Sequence, residues 1–125
     1  MAKTPVFVSF DFDNDSTLRD FIIGQAKLSD SPFSVIDHSL KEAAPARDWI
    51  DKARRAIGRC DVFIVMLGSK TRNAPGVLKE VRIARELGKR MVQIIGYRNG
   101  SRDWRVPNAG TVYRWDWANL KKILA

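Results

Sequence analysis

The chain has 125 residues, which predicts one domain spanning residues 1–125, and its 45% apolar and 29% charged residues are the balance of an ordinary globular protein. No apolar run approaches the roughly 20 residues of a membrane span, and the single cysteine, Cys60, excludes an intrachain disulfide and a cysteine-based metal cluster. The N-terminus runs directly into the first predicted strand, so we expect no signal peptide, no membrane partner and a cytoplasmic protein.

The net charge of +8 raises the question of nucleic-acid binding. The basic residues are spread along the solvent faces of two predicted amphipathic helices, and no recognised nucleic-acid motif accompanies them. We therefore do not expect a nucleic-acid partner. A positive surface would still attract anionic ligands such as dinucleotides.

Strands and helices alternate along the chain. Short runs rich in β-branched and aromatic residues predict strands at residues 6–10, 33–38, 61–67, 91–95 and, briefly, 111–113. Periodic apolar positions predict helices at residues 16–27, 46–58, 75–87 and 116–124. Asp15 or Ser16 is expected to cap the first helix, and Gly58 and Gly88 are expected to end the second and third.

This order predicts an α/β fold with right-handed crossovers and helices on both faces of a parallel sheet. The length fits a flavodoxin-like three-layer sandwich of four or five strands in the order 2-1-3-4, with a fifth at the edge. Residues 61–67 are continuously apolar, which is typical of a central strand covered on both faces. Strands 1 and 3 would then be neighbours, and ligands would bind at their carboxyl ends.

Three carboxylates, Asp11, Asp13 and Asp15, follow the first predicted strand and cannot enter a core unpaired. The D-x-D pattern resembles the start of a haloacid-dehalogenase-type phosphotransferase, but no acidic pair follows the fourth strand to hold magnesium. A calcium loop lacks its sixth-position glycine and twelfth-position glutamate. We favour a third interpretation, in which these carboxylates make polar contacts to a sugar hydroxyl or a nucleotide and cap the following helix. This interpretation includes no metal site.

Glu80 is the sharpest anomaly in the chain. At about 100° per residue it falls between Leu87 and Ala84, within the apolar arc of the third predicted helix. A half-buried carboxylate needs a partner or a function, and desolvation raises its pKa. The alternatives are a first-turn acid favoured by the helix dipole or an ion pair with an arginine such as Arg72.

The single cysteine and the tryptophans near the C-terminus are interpreted as structural or interface residues. Cys60 precedes a buried strand and is expected to be inert core. Trp104, Trp115 and Trp117 are unusually dense, and one of them is expected to seal the core while an exposed one would support a partner interface.

Several segments together carry a family resemblance. The segments V-F-V-S-F-D-F-D-N-D, S-L-K-E with a later D-W-I, R-C-D-V-F-I-V-M-L-G-S-K-T and G-V-L-K-E-V-R-I-A occur in the right order and spacing. In these segments the chain, from about residue 6 to 95, resembles the TIR-like domain of the Thoeris ThsB type. The resemblance implies a TIR-like, flavodoxin-like fold.

The resemblance also implies an activity. TIR enzymes break the nicotinamide–ribose bond of NAD, and Thoeris-type members make a cyclic ADP-ribose-type signal that activates an effector protein during phage infection. NAD or a related dinucleotide would then be the substrate, with no cofactor, and a homo-oligomer would complete the site. The competing class is a non-catalytic TIR-like signalling module that uses the same fold as a docking surface.

The resemblance assigns residues by position. Glu80, in G-V-L-K-E, matches the TIR catalytic glutamate. The substrate-binding residues would come from the tip of the first strand, the loop after the second strand and the loop before Glu80: Ser9, Phe10, Asp11, Asp13, Asp37, Ser69, Thr71 and Arg72.

Overall fold

The computed structural model describes residues 3–11, 15–29, 31–36 and 46–124. Within these residues, five strands form one all-parallel sheet in the order β2-β1-β3-β4-β5, as the sequence predicts. Their bounds are β1 Thr4–Ser9, β2 Phe33–Val35, β3 Val62–Leu67, β4 Arg90–Ile95 and β5 Thr111–Arg114. The flavodoxin-like fold class is thereby confirmed.

Helices cover both faces of the sheet. The described residues contain four α-helices, α1 Ser16–Ala26, α2 Ala46–Arg59, α3 Pro75–Glu86 and α4 Trp117–Ile123, and short 3-10 turns at Thr71–Asn73 and Arg102–Trp104. One apolar cluster joins the sheet to α2 and α3, and a second joins it to α1 and α4. In the described part of the chain, no helix is long and apolar enough to cross a membrane.

The central strand explains the two-sided core. All six residues of β3 are buried, because helices lie on both of its faces. Alternate residues of β1 divide between the clusters in the same way: Phe7 stacks on Phe63 on the α2/α3 side, whereas Val6 and Val8 face α1 and α4. The prediction of a central strand at 61–67 is confirmed.

Element ends differ from the predictions by a few residues. The first strand begins at Thr4 and ends at Ser9, and β2 is a three-residue edge strand because it pairs with β1 over three positions only. Gly58 does not end α2, which continues to Arg59. Gly88 follows α3 with a φ of 67°, so the predicted glycine stop is correct there.

Candidate active site

The helix α3 carries Glu80 on its buried face. Val77, Val81 and Ala84 share that face and lie in the core, and Glu80 is only 6% exposed among them. The position inferred from the helical period is therefore correct. Leu87, expected beside this stripe, is 40% exposed because α3 has already ended at Glu86.

Ser9, the last residue of β1, is the hydrogen-bond partner of Glu80. Its hydroxyl donates to Oε1 of Glu80 at 2.7 Å, and both side chains are buried. Ser9 pairs in register with Val65 of β3, so the contact lies where the carboxyl ends of the two central strands meet α3. The fold thus joins two of the residues that the sequence assigned to one site.

The environment of Glu80 favours its protonated form. Burial removes the charged carboxylate from water and raises the pKa of Glu80 to about 8, while the weaker effect of the Ser9 hydrogen bond lowers it. At neutral pH the carboxyl group therefore carries its proton most of the time. A positive charge arriving beside it would favour ionisation.

The two alternative readings of Glu80 do not fit the structure. The first turn of α3 contains no acid, so Glu80 is not a residue placed there by the helix dipole. Arg72 does not pair with it either: the exposed Arg72 guanidinium donates to the carbonyl oxygen of Asp103.

The remaining predicted site residues have different environments. Phe10 is 3% exposed and packs in the α1/α4 cluster, so its ring is not open to a ligand on the Glu80 side of the sheet. Asp11 is buried at the tip of β1. Ser69 is exposed in the loop before α3. Asp13 and Asp37 lie outside the described residues.

Thr71 belongs to a second polar cluster, which the sequence analysis missed. The Asp15 carboxylate, 5% exposed, accepts a hydrogen bond from the Tyr97 hydroxyl at 2.7 Å and from the Thr71 hydroxyl at 3.5 Å. The Thr71 hydroxyl in turn accepts from the Gly68 backbone N–H at 2.7 Å. These contacts join the exits of β1, β3 and β4.

Of the two residues expected to cap α1, Asp15 does not cap it, and the side chain of Ser16 is not among those that the structure describes. Asp15 occupies the N-cap position of α1, but its side chain makes no capping bond because it points to Tyr97 and Thr71. Burial raises its pKa, and the nearby charge of Asp11 adds to this effect. The available sequence signal for Tyr97 was its position directly after the fourth strand, at the edge where the carboxylates emerge.

The fold and the site together define a flavodoxin-like α/β protein with a buried acid at the carboxyl edge of its central strands. Residues 7–99 match the family model of the Thoeris protein ThsB, TIR-like domain, and the chain belongs to that family. The resemblance stated from the sequence is thereby confirmed.

Among solved structures, the chain is similar to the structure of Clostridium botulinum CMP N-glycosidase, BcmB. The TM-score is 0.53 and the identity 19%, over 96% of this chain and 93% of that one. At this identity the similarity supports the fold. No curated protein matches the chain by sequence.

Proposed function

We propose that this chain cleaves the N-glycosidic bond of a nucleotide, with Glu80 as the catalytic residue and NAD as the expected substrate. The observation that carries the proposal is the buried Ser9–Glu80 pair at the carboxyl edge of β1 and β3. Ligands of open α/β sheets bind at that edge. Membership of the ThsB family and the fold similarity to a CMP N-glycosidase support the same class of reaction.

The chemistry requires a carboxylate near the ribose. In NAD the nicotinamide leaves with the electron pair of the C–N bond, and the ribose develops oxocarbenium character. An ionised Glu80 would stabilise that positive charge, most effectively in a site from which water is excluded. Attack by water then yields ADP-ribose, and attack by an atom of the same molecule yields a cyclic product.

Two classes of substrate would need different protonation states of Glu80. The nicotinamide of NAD is already cationic, so it leaves without a proton and needs the ionised carboxylate. The base of CMP is neutral and leaves more easily when an acid protonates it, a role for which a protonated Glu80 is suited. With a pKa of about 8, Glu80 changes between its protonated and ionised forms at pH values where enzyme activity can be measured.

The pH dependence of kcat/KM tests the role of Glu80. For NAD we expect kcat/KM to rise about tenfold per pH unit and to level off above the pKa of the free enzyme, near 8. For CMP, acid catalysis predicts the opposite limb, a fall above that pKa. The Ser9→Ala variant loses the hydrogen bond that lowers this pKa, so its midpoint should move to higher pH.

Product analysis tests the activity itself. Concentrated protein is incubated with NAD or with CMP, and the products are separated by chromatography and identified by mass. Glu80→Gln should abolish cleavage, whereas Glu86→Gln, which changes an exposed acid of the same helix, should retain it. If neither nucleotide is consumed, even after addition of infected-cell extract, the enzyme proposal is wrong.

In this proposal the product is a signal. A cyclic ADP-ribose-type nucleotide would carry the message to an effector protein during phage infection, and self-association of the chain would complete the catalytic site. Comparing specific activity at increasing protein concentration tests the second point, since a site shared between copies gains activity as the copies associate.

One observation favours a second candidate, a non-catalytic TIR-like docking module. Glu80 and Phe10 are both almost fully buried, so a substrate must displace neighbouring groups before it touches either. A docking module has no such requirement. Pulldown of an effector protein that survives Glu80→Gln, together with the absence of nucleotide cleavage by the wild type, would favour this candidate.

A further inference from the structure

A cleft of about 270 Å³ opens beside α1, where β4 and β5 end. Its walls include three aromatic rings, Phe21, Tyr97 and Trp115, and two arginines, Arg98 and Arg114. It contains part of the Trp- and Arg-rich C-terminal region that the proposed activity does not use.

The aromatic walls are held in place by contacts within the protein. Phe21 and Trp115 meet edge to face, with ring centroids 4.6 Å apart and planes at 70°. Tyr97 is fixed at both ends of its ring: its hydroxyl donates to Asp15, and its ring contacts Trp104 edge to face at 6.1 Å. Rings fixed in this way offer flat apolar surface to a planar ligand at a low entropic cost.

The charges of the cleft are of one sign. Among the residues that the structure describes, Arg98 and Arg114 are its charged lining residues, and no acid lines it. The Arg114 guanidinium donates to the Gly100 carbonyl oxygen at 2.9 Å, which fixes its position, and the exposed Arg98 has no partner in the described part of the chain. Two guanidinium groups beside an apolar wall suit an anion such as phosphate.

We propose that this cleft binds a nucleoside phosphate, with the base against the aromatic rings and the phosphate on Arg98 and Arg114. Its volume lies near the lower limit of small-molecule sites, which suits a mononucleotide-sized group rather than a whole dinucleotide. The site is separate from Glu80, because Phe21 and Trp115 lie on the α1 side of the sheet and Glu80 faces the α2/α3 side.

The inference is independent of the proposed function and is tested by NMR titration of the ¹⁵N-labelled full chain carrying Glu80→Gln. Three probes are used: ADP, adenosine, which lacks the phosphates, and pyrophosphate, which lacks the base. The readouts are the indole N–H of Trp115, assigned from a Trp115→Phe variant, and the Nε–H of Arg114. We expect ADP to shift both signals and to bind at least about tenfold more tightly than adenosine or pyrophosphate.

Arg98→Glu provides the decisive variant, because Arg98 is exposed and its loss breaks no contact in the described chain. It should weaken ADP binding at the Trp115 signal by about tenfold or more. Arg105→Glu is the matched control, an exposed arginine of the following loop that does not line the cleft, and it should leave the affinity nearly unchanged.

The proposal is overturned if ADP shifts neither signal at millimolar concentration, if its shifts are confined to residues around Ser9, or if Arg98→Glu and Arg105→Glu weaken binding equally. Equal affinity for ADP and pyrophosphate would also overturn it, since the aromatic walls would then make no contribution.

Discussion

Ser9 and Glu80 are 71 residues apart in the chain, yet they form one buried pair. The ionised form of Glu80 is costly in free energy, because valine and alanine side chains enclose the carboxyl group and no water hydrates its charge there. A valine or leucine in its place would satisfy the packing. A buried acid that the packing does not require fits the catalytic role proposed for Glu80.

This cost predicts the pH dependence of stability. Folded Glu80 keeps its proton up to about pH 8, whereas the unfolded chain releases it near the ordinary value of 4.5. Between these values the folded state binds more protons, so the contribution of Glu80 to stability falls as pH rises and levels off above pH 8. Glu80→Gln cannot ionise and should escape this loss, with a gain on the order of 5 kcal/mol above the folded pKa.

Urea denaturation at about pH 4 and about pH 9 measures this difference. The variant and the wild type should differ little under acid and strongly under base. Glu86→Gln, which removes an exposed acid of the same helix paired with Arg54, is the control for the loss of a charge outside the core. A gain for Glu80→Gln that is the same at both pH values would contradict the raised pKa.

The environment of a single residue can be predicted from the sequence when it depends on one helix or strand alone. The helical period alone places Glu80 on the buried face of α3. The partner of Asp15 depends on three strand exits meeting in space, so a local capping rule assigned its side chain to the wrong neighbour. Tyr97 lies just after the fourth strand, but neither Tyr97 nor Thr71 has a sequence pattern that predicts a contact with Asp15.

At the scale of elements, the conformation of the loop after β3 depends on a glycine, Gly68, which has no side chain. A Cβ on Gly68 would lie 2.3 Å from Oδ2 of Asp15, inside van der Waals contact. The missing side chain lets the Asp15 carboxylate reach Tyr97 and Thr71, so the loop that leads into α3 is positioned by the tip of β1. Strand composition identified β3 from the sequence, but this close approach follows only from the pairing of β1 with β3.

Gly68→Ala tests this contact. The new methyl group would push the Asp15 carboxylate away from the Tyr97 hydroxyl and destabilise the protein by about 1 to 3 kcal/mol. Gly24→Ala is the control: Gly24 lies inside α1 with open space around it, so alanine should stabilise the protein by about 0.5 to 1 kcal/mol through helix propensity. Thermal unfolding compares the two, and equal effects would show that Gly68 is not a close-contact position.

At the scale of the whole molecule, the strand order could be predicted from the sequence, but the way the connection between β4 and β5 attaches to the sheet could not. Alternating strands and helices lead to a parallel sheet through chain topology, which restricts the choices severely. The long connection between β4 and β5 has no periodic pattern. In the structure Gln93 of β4 holds it: its amide oxygen accepts from Val106 N–H at 2.7 Å, and its amide nitrogen donates to the carbonyl oxygens of Val106 and Gly110 at 3.0 and 2.9 Å.

Gln93→Leu should therefore detach this connection from the sheet. Leucine has a similar size but leaves the buried Val106 N–H and C=O without partners, which should cost about 3 kcal/mol. Gln25→Leu is the matched control, since the partly buried Gln25 side chain of α1 has no hydrogen-bond partner in the described chain. Denaturation gives the stability, and amide exchange at Val106 should accelerate in the first variant only. If Gln93→Leu exchanges as slowly as the wild type, the connection is held by apolar packing of Val106 and Ala109 rather than by the amide.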